Sequence, residues 1–193
     1  MLLYRVVPYA GDARPDEPGH PLFVDPARQG HGRADNPRHY AALYVSESAA
    51  GAVGEVFGDL IRWSSAMFEV PSFGARRALA TFDVDPAPRV LDLDDARVLL
   101  DLGLRPTAVV SRDRELTQEA ALTVWLRGEW EGLRWWSWWR PTWRNQTLWA
   151  PAAGARSWWW HERFAVTSIE PLTIDHPAVQ VAADQLRRPL DPG

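Results

Sequence analysis

At 193 residues the chain is long enough for one buried core. With 46% apolar residues, 24% charged residues and a net charge of -4 it is neither disordered by composition nor a polybasic nucleic-acid binder. Its 21 basic residues are all arginine and it has no cysteine, which excludes a Schiff-base or P-loop lysine, a thiol nucleophile, a disulfide scaffold and a cysteine zinc site.

Leu2 to Pro8 reads as a short strand, and Asp12 to Gly19 as a Pro/Asp/Gly loop. A second loop, Asp25 to Pro37, precedes a strand from Tyr40 to Val45. Ser46 or Ser48 then caps a helix whose apolar stripe is Val53, Val56, Phe57, Leu60 and Ile61. Glu55 lies about 200° from Val53 around that helix, free to face a cleft or solvent. Ala78 to Val84 and Arg89 to Leu91 read as strands. Asp92 or Asp94 caps a helix to Leu102, with Gly103 as its stop. Ser111 caps another, to about Arg127, with Ala120, Ala121, Val124 and Trp125 inward. Between Gly132 and Trp149 the aromatic runs LRWWS and TLWA suit strands, as does Phe164 to Ile169. Asp175 caps a last helix with Pro177 in its first turn and Val179, Ala182, Ala183 and Leu186 inward.

Strands and helices alternate without a regular βαβ beat, no repeat is visible and no linker divides the chain. A single mixed α+β domain over residues 1–193 is expected. No stretch approaches the roughly 20 apolar residues that span a bilayer. The opening MLLYRVVPYAGDARPDEPGH lacks a signal peptide's long apolar run. The expectation is a cytoplasmic protein with no membrane contact and no direct nucleic-acid binding.

The nucleotide-loop, zincin and nucleophile-elbow motifs are all missing, and five scattered histidines give no metal site. Four polar residues stand out in apolar or glycine-rich settings: Arg33 in QGHGRADNP, Tyr44 in AALYVS, Glu55 in GAVGEVF and Ser137 in GLRWWSW. Singly, each has an ordinary reading: a solvated loop arginine, a core tyrosine, a solvent-facing helix glutamate, a tolerated small residue.

Together and in this order they resemble the RES domain, a family named for its Arg, Glu and Ser. GRADNPRHYAALYVSESAAGAVGEVF is similar to its signature of a Gly-Arg turn, an LY strand and a small-residue helix carrying a glutamate. The YRV of Tyr4 to Val6 and the late GLRWWS and TLWA extend the resemblance over about 2–149, leaving a C-terminal strand and helix at about 164–189. The chain departs from the pattern at Ala34, where the family usually has an aromatic residue.

The resemblance implies an ADP-ribosyltransferase-like mixed sheet core with surrounding helices. It also implies a toxin of a toxin–antitoxin pair that consumes NAD by hydrolysis, phosphorolysis or ADP-ribosyl transfer to a protein. NAD would enter as substrate, with no cofactor. An Xre-type helix-turn-helix antitoxin would be the partner, and a homodimer is also expected.

The residue types suit that chemistry. Breaking the nicotinamide–ribose bond releases a neutral leaving group, so oxocarbenium stabilisation matters more than a strong acid. One carboxylate beside the ribose supplies it and can act as base toward the acceptor. Glu55 is assigned that role, Arg33 the fork onto the pyrophosphate, Tyr44 a stack on nicotinamide, and Ser137 the orientation of Glu55 or a ribose hydroxyl. Arg5, on the first strand, is set outside this core set, although it too has the reach for a phosphate.

Eleven of the twelve tryptophans lie between Trp125 and Trp160. Core plus a partner interface is the leading reading of this cluster. The rival is a non-catalytic Trp-rich platform for carbohydrate or single-stranded nucleic acid.

Overall fold

The computed structural model describes residues 1–71, 74–109, 111–151 and 158–191. The strand β1 (Leu2–Tyr9) is followed by a long loop with one 3-10 turn at Pro26–Arg28, then β2 (Tyr40–Ser46) and α1 (Ala49–Phe57). Short strands β3 (Trp63–Ser64) and β4 (Glu69–Val70) lead to the long β5 (Ala75–Val84) and to β6 (Val90–Asp92). Three helices follow, α2 (Ala96–Asp101), α3 (Pro106–Val109) and α4 (Arg114–Arg127), then β7 (Gly132–Trp136) and β8 (Arg144–Pro151). The chain ends with α5 (Trp160–Arg163), β9 (Phe164–Pro171), α6 (Pro177–Leu186) and β10 (Leu190–Asp191).

The main sheet runs β4-β5-β1-β2-β8-β7-β6, with β9 on the same edge of β5 as β4. Its pairs are antiparallel except for β6 with β7, and β10 pairs with β3 apart from it. This is the mixed α+β architecture the sequence suggests. Its two halves are joined loosely. β2 pairs with β8 through seven consecutive residues and β1 with β5 through eight, yet β1 meets β2 at one position, Tyr4 opposite Ser46. The sheet therefore parts in its middle.

Three apolar clusters hold the halves. One packs α1 and α6 with Trp63, Phe68 and Trp143; a second joins Leu3, Leu43 and Phe82 to Trp160; a third wraps α4 and Trp149 around Tyr40 and Ala34. β2 contributes to two of them with alternating residues, Ala41, Leu43 and Val45 to one and Tyr40 and Ala42 to another, as a strand buried on both faces must. Outside the apolar clusters, Arg134 ties β7 to its surroundings: it forks onto Glu47 at 2.6 and 2.9 Å and also reaches Asp92 at 2.5 Å. Burial pushes the Glu47 carboxyl up, but hydrogen bonds from Arg134 and Gln146 outweigh it and hold the group below its ordinary value.

Several helix starts differ from the expected ones. The caps are Ser48, Asp95, Asp113 and His176, each accepting from backbone N–H groups of the first turn. Asp92 and Asp94 are instead occupied by Arg134 and Arg144, Ser111 accepts from the Asp113 N–H, and Asp175 gives way to the His176 imidazole. α1 ends at Phe57, so Leu60 and Ile61 fall beyond it and are exposed, and Val56 is exposed as well. The buried side of α1 is its small-residue face, Ala50 to Gly54, with Phe57.

That face is small because two indoles lie on it. A Cβ on Gly54 would come within 2.2 Å of the Trp143 ring, and one on Gly58 within 2.4 Å of Trp139. Elsewhere in the tryptophan cluster Trp135, Trp149 and Trp160 are buried like Trp143, and Trp149 and Trp159 donate their indole N–H to main-chain carbonyls. Trp138 alone is largely open, 61% exposed, with the Arg112 guanidinium 3.6 Å above its ring. Among the described residues there is no row of exposed indoles of the kind a stacking platform needs.

Candidate active site

Where β1 and β2 part, two cavities open end to end. The first, about 260 Å³, is walled by Tyr4, Arg5, Tyr44, Ser46, Glu55, Trp135 and Asn145, among others. The second, about 350 Å³, is walled by Pro8, His20, Phe23, Arg28, Gln29 and Ala42. Arg5 and Tyr44 belong to both and stand where the two meet. Ligand sites of roughly 300–1,000 Å³ are usual, a range the pair together reaches.

Glu55 projects from the exposed side of α1 into the first cavity. Its Oε1 accepts from Ser137 Oγ at 2.5 Å and from Asn145 Nδ2 at 2.8 Å, which leaves Oε2 without a hydrogen bond to a described residue. Ser137 is fully buried at the end of β7, and its hydroxyl also accepts from the Trp139 N–H at 3.1 Å. A hydroxyl that accepts from backbone must send its own hydrogen elsewhere, and the carboxylate is where it goes. The charge-assisted pair fixes the rotamer of Glu55.

Tyr44 closes the other wall. Its hydroxyl donates to Asp35 Oδ1 at 2.6 Å and accepts from the Ala34 N–H at 3.1 Å, and its ring meets Trp135 edge to face. Burial, reinforced by Asp35, pushes the phenol well above its ordinary value. The Gly-Arg loop is built around this contact. Asp35 Oδ2 accepts from the N–H groups of Gly30 and Gly32, and Gln118 of α4 donates to the carbonyls of the same two glycines. A Cβ on Gly32 would lie 2.3 Å from the Tyr44 oxygen, so glycine is required there.

Arg33 stands apart from the other three. Its guanidinium lies 5.4 Å over the Trp135 ring, donates to the Val109 carbonyl at 3.0 Å, and lines a separate hollow with Trp136 and Trp138. Burial and Arg114 lower its pKa, while Glu55 is among the charges that raise it. Ala34 is fully buried in the core and on neither cavity wall.

The structure thus joins Glu55 and Tyr44 in one cavity with Asn145 and Arg5, sets the buried Ser137 behind Glu55, and puts Arg33 behind Trp135. Asn145 went unnoticed in the sequence because RNQT reads as an exposed polar stretch. The available signal was two consecutive amides, Asn145 and Gln146, inside an aromatic strand whose flanks are buried. Asp35 was equally hidden, since an aspartate in ADNP is an ordinary turn residue.

The chain belongs to the RES domain family, whose model matches residues 2–167. Its fold is shared with a chain in the crystal structure of the M. tuberculosis MbcT-MbcA toxin-antitoxin complex, with a TM-score of 0.60 at 19% identity over 96% of this chain and 88% of that one. No curated protein matches the chain.

Proposed function

We propose that this protein is the toxin of a toxin–antitoxin pair and that it binds NAD in the parted sheet and breaks the nicotinamide–ribose bond. The observation that carries this reading is Glu55: a carboxylate with one oxygen held by Ser137 and Asn145 and the other free, in a cavity that opens between two central strands. Membership of the RES family and the shared fold with a chain of a toxin–antitoxin complex support it.

In this reading the ribose lies beside Glu55 with the nicotinamide toward Tyr44 and Trp135. The C1′–N bond breaks and nicotinamide leaves as a neutral molecule with the bonding electron pair. Positive charge grows on C1′ and its ring oxygen, and the fixed carboxylate stabilises it without having to reorganise. Water, phosphate or a protein side chain then bonds to C1′, and Glu55 Oε2 takes the proton it gives up. Ser137 and Asn145 are positioning residues, since they act through Glu55. Arg33 acts through Trp135, holding that ring as the back wall. NAD is the substrate and no cofactor is needed. The antitoxin, an Xre-type helix-turn-helix protein, silences the enzyme by covering the cleft.

Induced expression in a bacterial host tests the proposal. Wild type arrests growth and lowers cellular NAD, whereas Glu55→Gln, which keeps the shape of the side chain, does neither. A Glu55→Gln protein as toxic as wild type contradicts it.

A further inference from the structure

We infer that Arg188, just past the end of α6, is a positioning residue for the Glu55 carboxylate: it holds the turn between β7 and β8 against the end of α1, so that Ser137 and Glu55 meet. The inference rests on the reaction proposed above. Arg188 lies beyond the family match, which ends at residue 167.

The need for such a tie comes from the site itself. Glu55 is on α1 and Ser137 lies 82 residues later, where β7 turns toward β8, yet their oxygens are 2.5 Å apart. A bond of that length persists only if helix and turn keep their spacing to within roughly a few tenths of an ångström. The turn closes on itself, through the Ser137 N–H to the Trp143 carbonyl at 2.8 Å and the Trp139 N–H to Ser137 Oγ at 3.1 Å, and neither of these bonds reaches α1. Two indoles of the turn lie on the helix, Trp143 at Gly54 and Trp139 at Gly58. The end of α6 holds both. Gln185 Oε1 accepts from Trp143 Nε1 at 3.0 Å, and the Arg188 guanidinium lies over the Trp139 ring, 5.9 Å from its centre.

Arg188 touches the helix as well as the turn. Its Nη2 donates to the Gly58 carbonyl at 2.7 Å, at the C-terminal end of α1, where a helix presents unpaired carbonyls and favours a cation. The neighbouring Phe57 carbonyl is taken by Trp63 Nε1 at 3.1 Å. The backbone bends to bring Arg188 there. Arg187 has a left-handed φ of 53°, unlike any other non-glycine among the described residues, and the Arg188 N–H closes the end of α6 on the Ala183 carbonyl at 2.8 Å. Arg188 Nε is buried without a hydrogen-bond partner among the described residues, a cost in hydration that an apolar side chain in the same space would not carry. What the guanidinium adds is a directed bond to α1 while it covers the indole. From there the line is short: Trp139 donates its N–H to Ser137 Oγ, and Ser137 donates to Glu55.

The test compares wild type, Arg188→Met, Arg188→Lys, Ser137→Ala and the Ser137→Ala/Arg188→Met double variant, each shown to be folded by urea denaturation. Two quantities are read: nicotinamide release from NAD, and hydrogen exchange at the Trp139 amide by NMR. Arg188→Met keeps most of the apolar stem and removes the fork. Its kcat falls about three- to tenfold with KM within about twofold, and its Trp139 amide exchanges about tenfold faster while amides of the β2–β8 pair keep their wild-type rates. Arg188→Lys, which keeps a charged donor for the Gly58 carbonyl, recovers most of both losses. Without the Ser137 hydroxyl the arginine no longer matters to the rate: the double variant is as slow as Ser137→Ala, as expected of two residues acting in one line. Wild-type kcat in Arg188→Met overturns the inference. So does an equal fold loss with and without the Ser137 hydroxyl, or faster exchange spread over the whole sheet, which marks Arg188 as a residue of the fold only. Exchange is read apart from turnover: if wild type leaves NAD intact the proposed reaction falls by itself, and an unchanged Trp139 exchange rate in Arg188→Met still overturns the tie.

Discussion

Glu55 shows how an ordinary residue becomes a special one. Its backbone position is an exposed turn of α1, and its chemistry comes from two donors more than 80 residues away in sequence that fix one oxygen and leave the other facing the cavity. Removing the carboxylate should cost at least about 100-fold in NAD cleavage, the scale of a lost general base or charge stabiliser. Ser137→Ala should act differently: nicotinamide release falls about tenfold or more in kcat with little change in KM, because the hydroxyl orients the carboxylate and touches no substrate. A pure KM effect would place the hydroxyl on the ribose instead. Glu55, Ser137 and Tyr44 were legible as residues because the sequence keeps them in apolar or glycine-rich settings. Their contacts were not, since nothing local in GEVF or WWSW specifies a partner. Arg33 was legible as unusual, but its place over the Trp135 ring was not, because Trp135 lies far along the chain.

At the scale of elements, the helix carrying Glu55 is placed by what it lacks. Gly54 lets α1 settle against the Trp143 ring, and the sequence showed small residues there without showing what they make room for. Gly54→Val should therefore destabilise the fold by about 2 kcal/mol or more, read as a lower denaturant midpoint, since the indole has nowhere to move. Trp143→Ala, which empties the same space, should cost about 3–5 kcal/mol. A neutral Gly54→Val would mean that α1 is not fixed by this contact. Long strands and long helices were readable from periodicity and composition. The caps were not read correctly where several acids or hydroxyls crowd together, as in DLDD, because the choice among them is made by distant arginines: Arg134 and Arg144 take Asp92 and Asp94 and leave Asp95 to the helix. The two-residue strands β3, β4 and β10 carry no periodicity at all and exist through their partners.

For the whole molecule the deciding feature is the single bridge between β1 and β2, which separates two well-paired half sheets and makes the cleft. No sequence pattern announces a gap between two good strands; it follows from what packs on either side. The loop over the second cavity brings a pH dependence with it. Burial lowers the pKa of His20, helped by His161 and Arg5, and burial likewise lowers that of His161. Below about pH 6.5 the unfolded chain therefore binds protons that the folded chain refuses, so stability is full above that value and declines as pH falls through and below it. The thermal midpoint should drop between pH 7.5 and pH 5.5, and the drop should shrink in His20→Asn/His161→Gln. A drop unchanged in the double variant would assign it to other groups.

The central claim is that a carboxylate held open in a parted sheet cleaves NAD. It is tested most directly by measuring nicotinamide release from NAD by purified wild type and Glu55→Gln, in buffer alone, with phosphate, and with a bacterial lysate as a source of protein acceptors. The account predicts release by wild type only, with the condition that supports it naming the acceptor: water, phosphate or protein. Equal release by Glu55→Gln, or none by wild type in all three conditions, would contradict it.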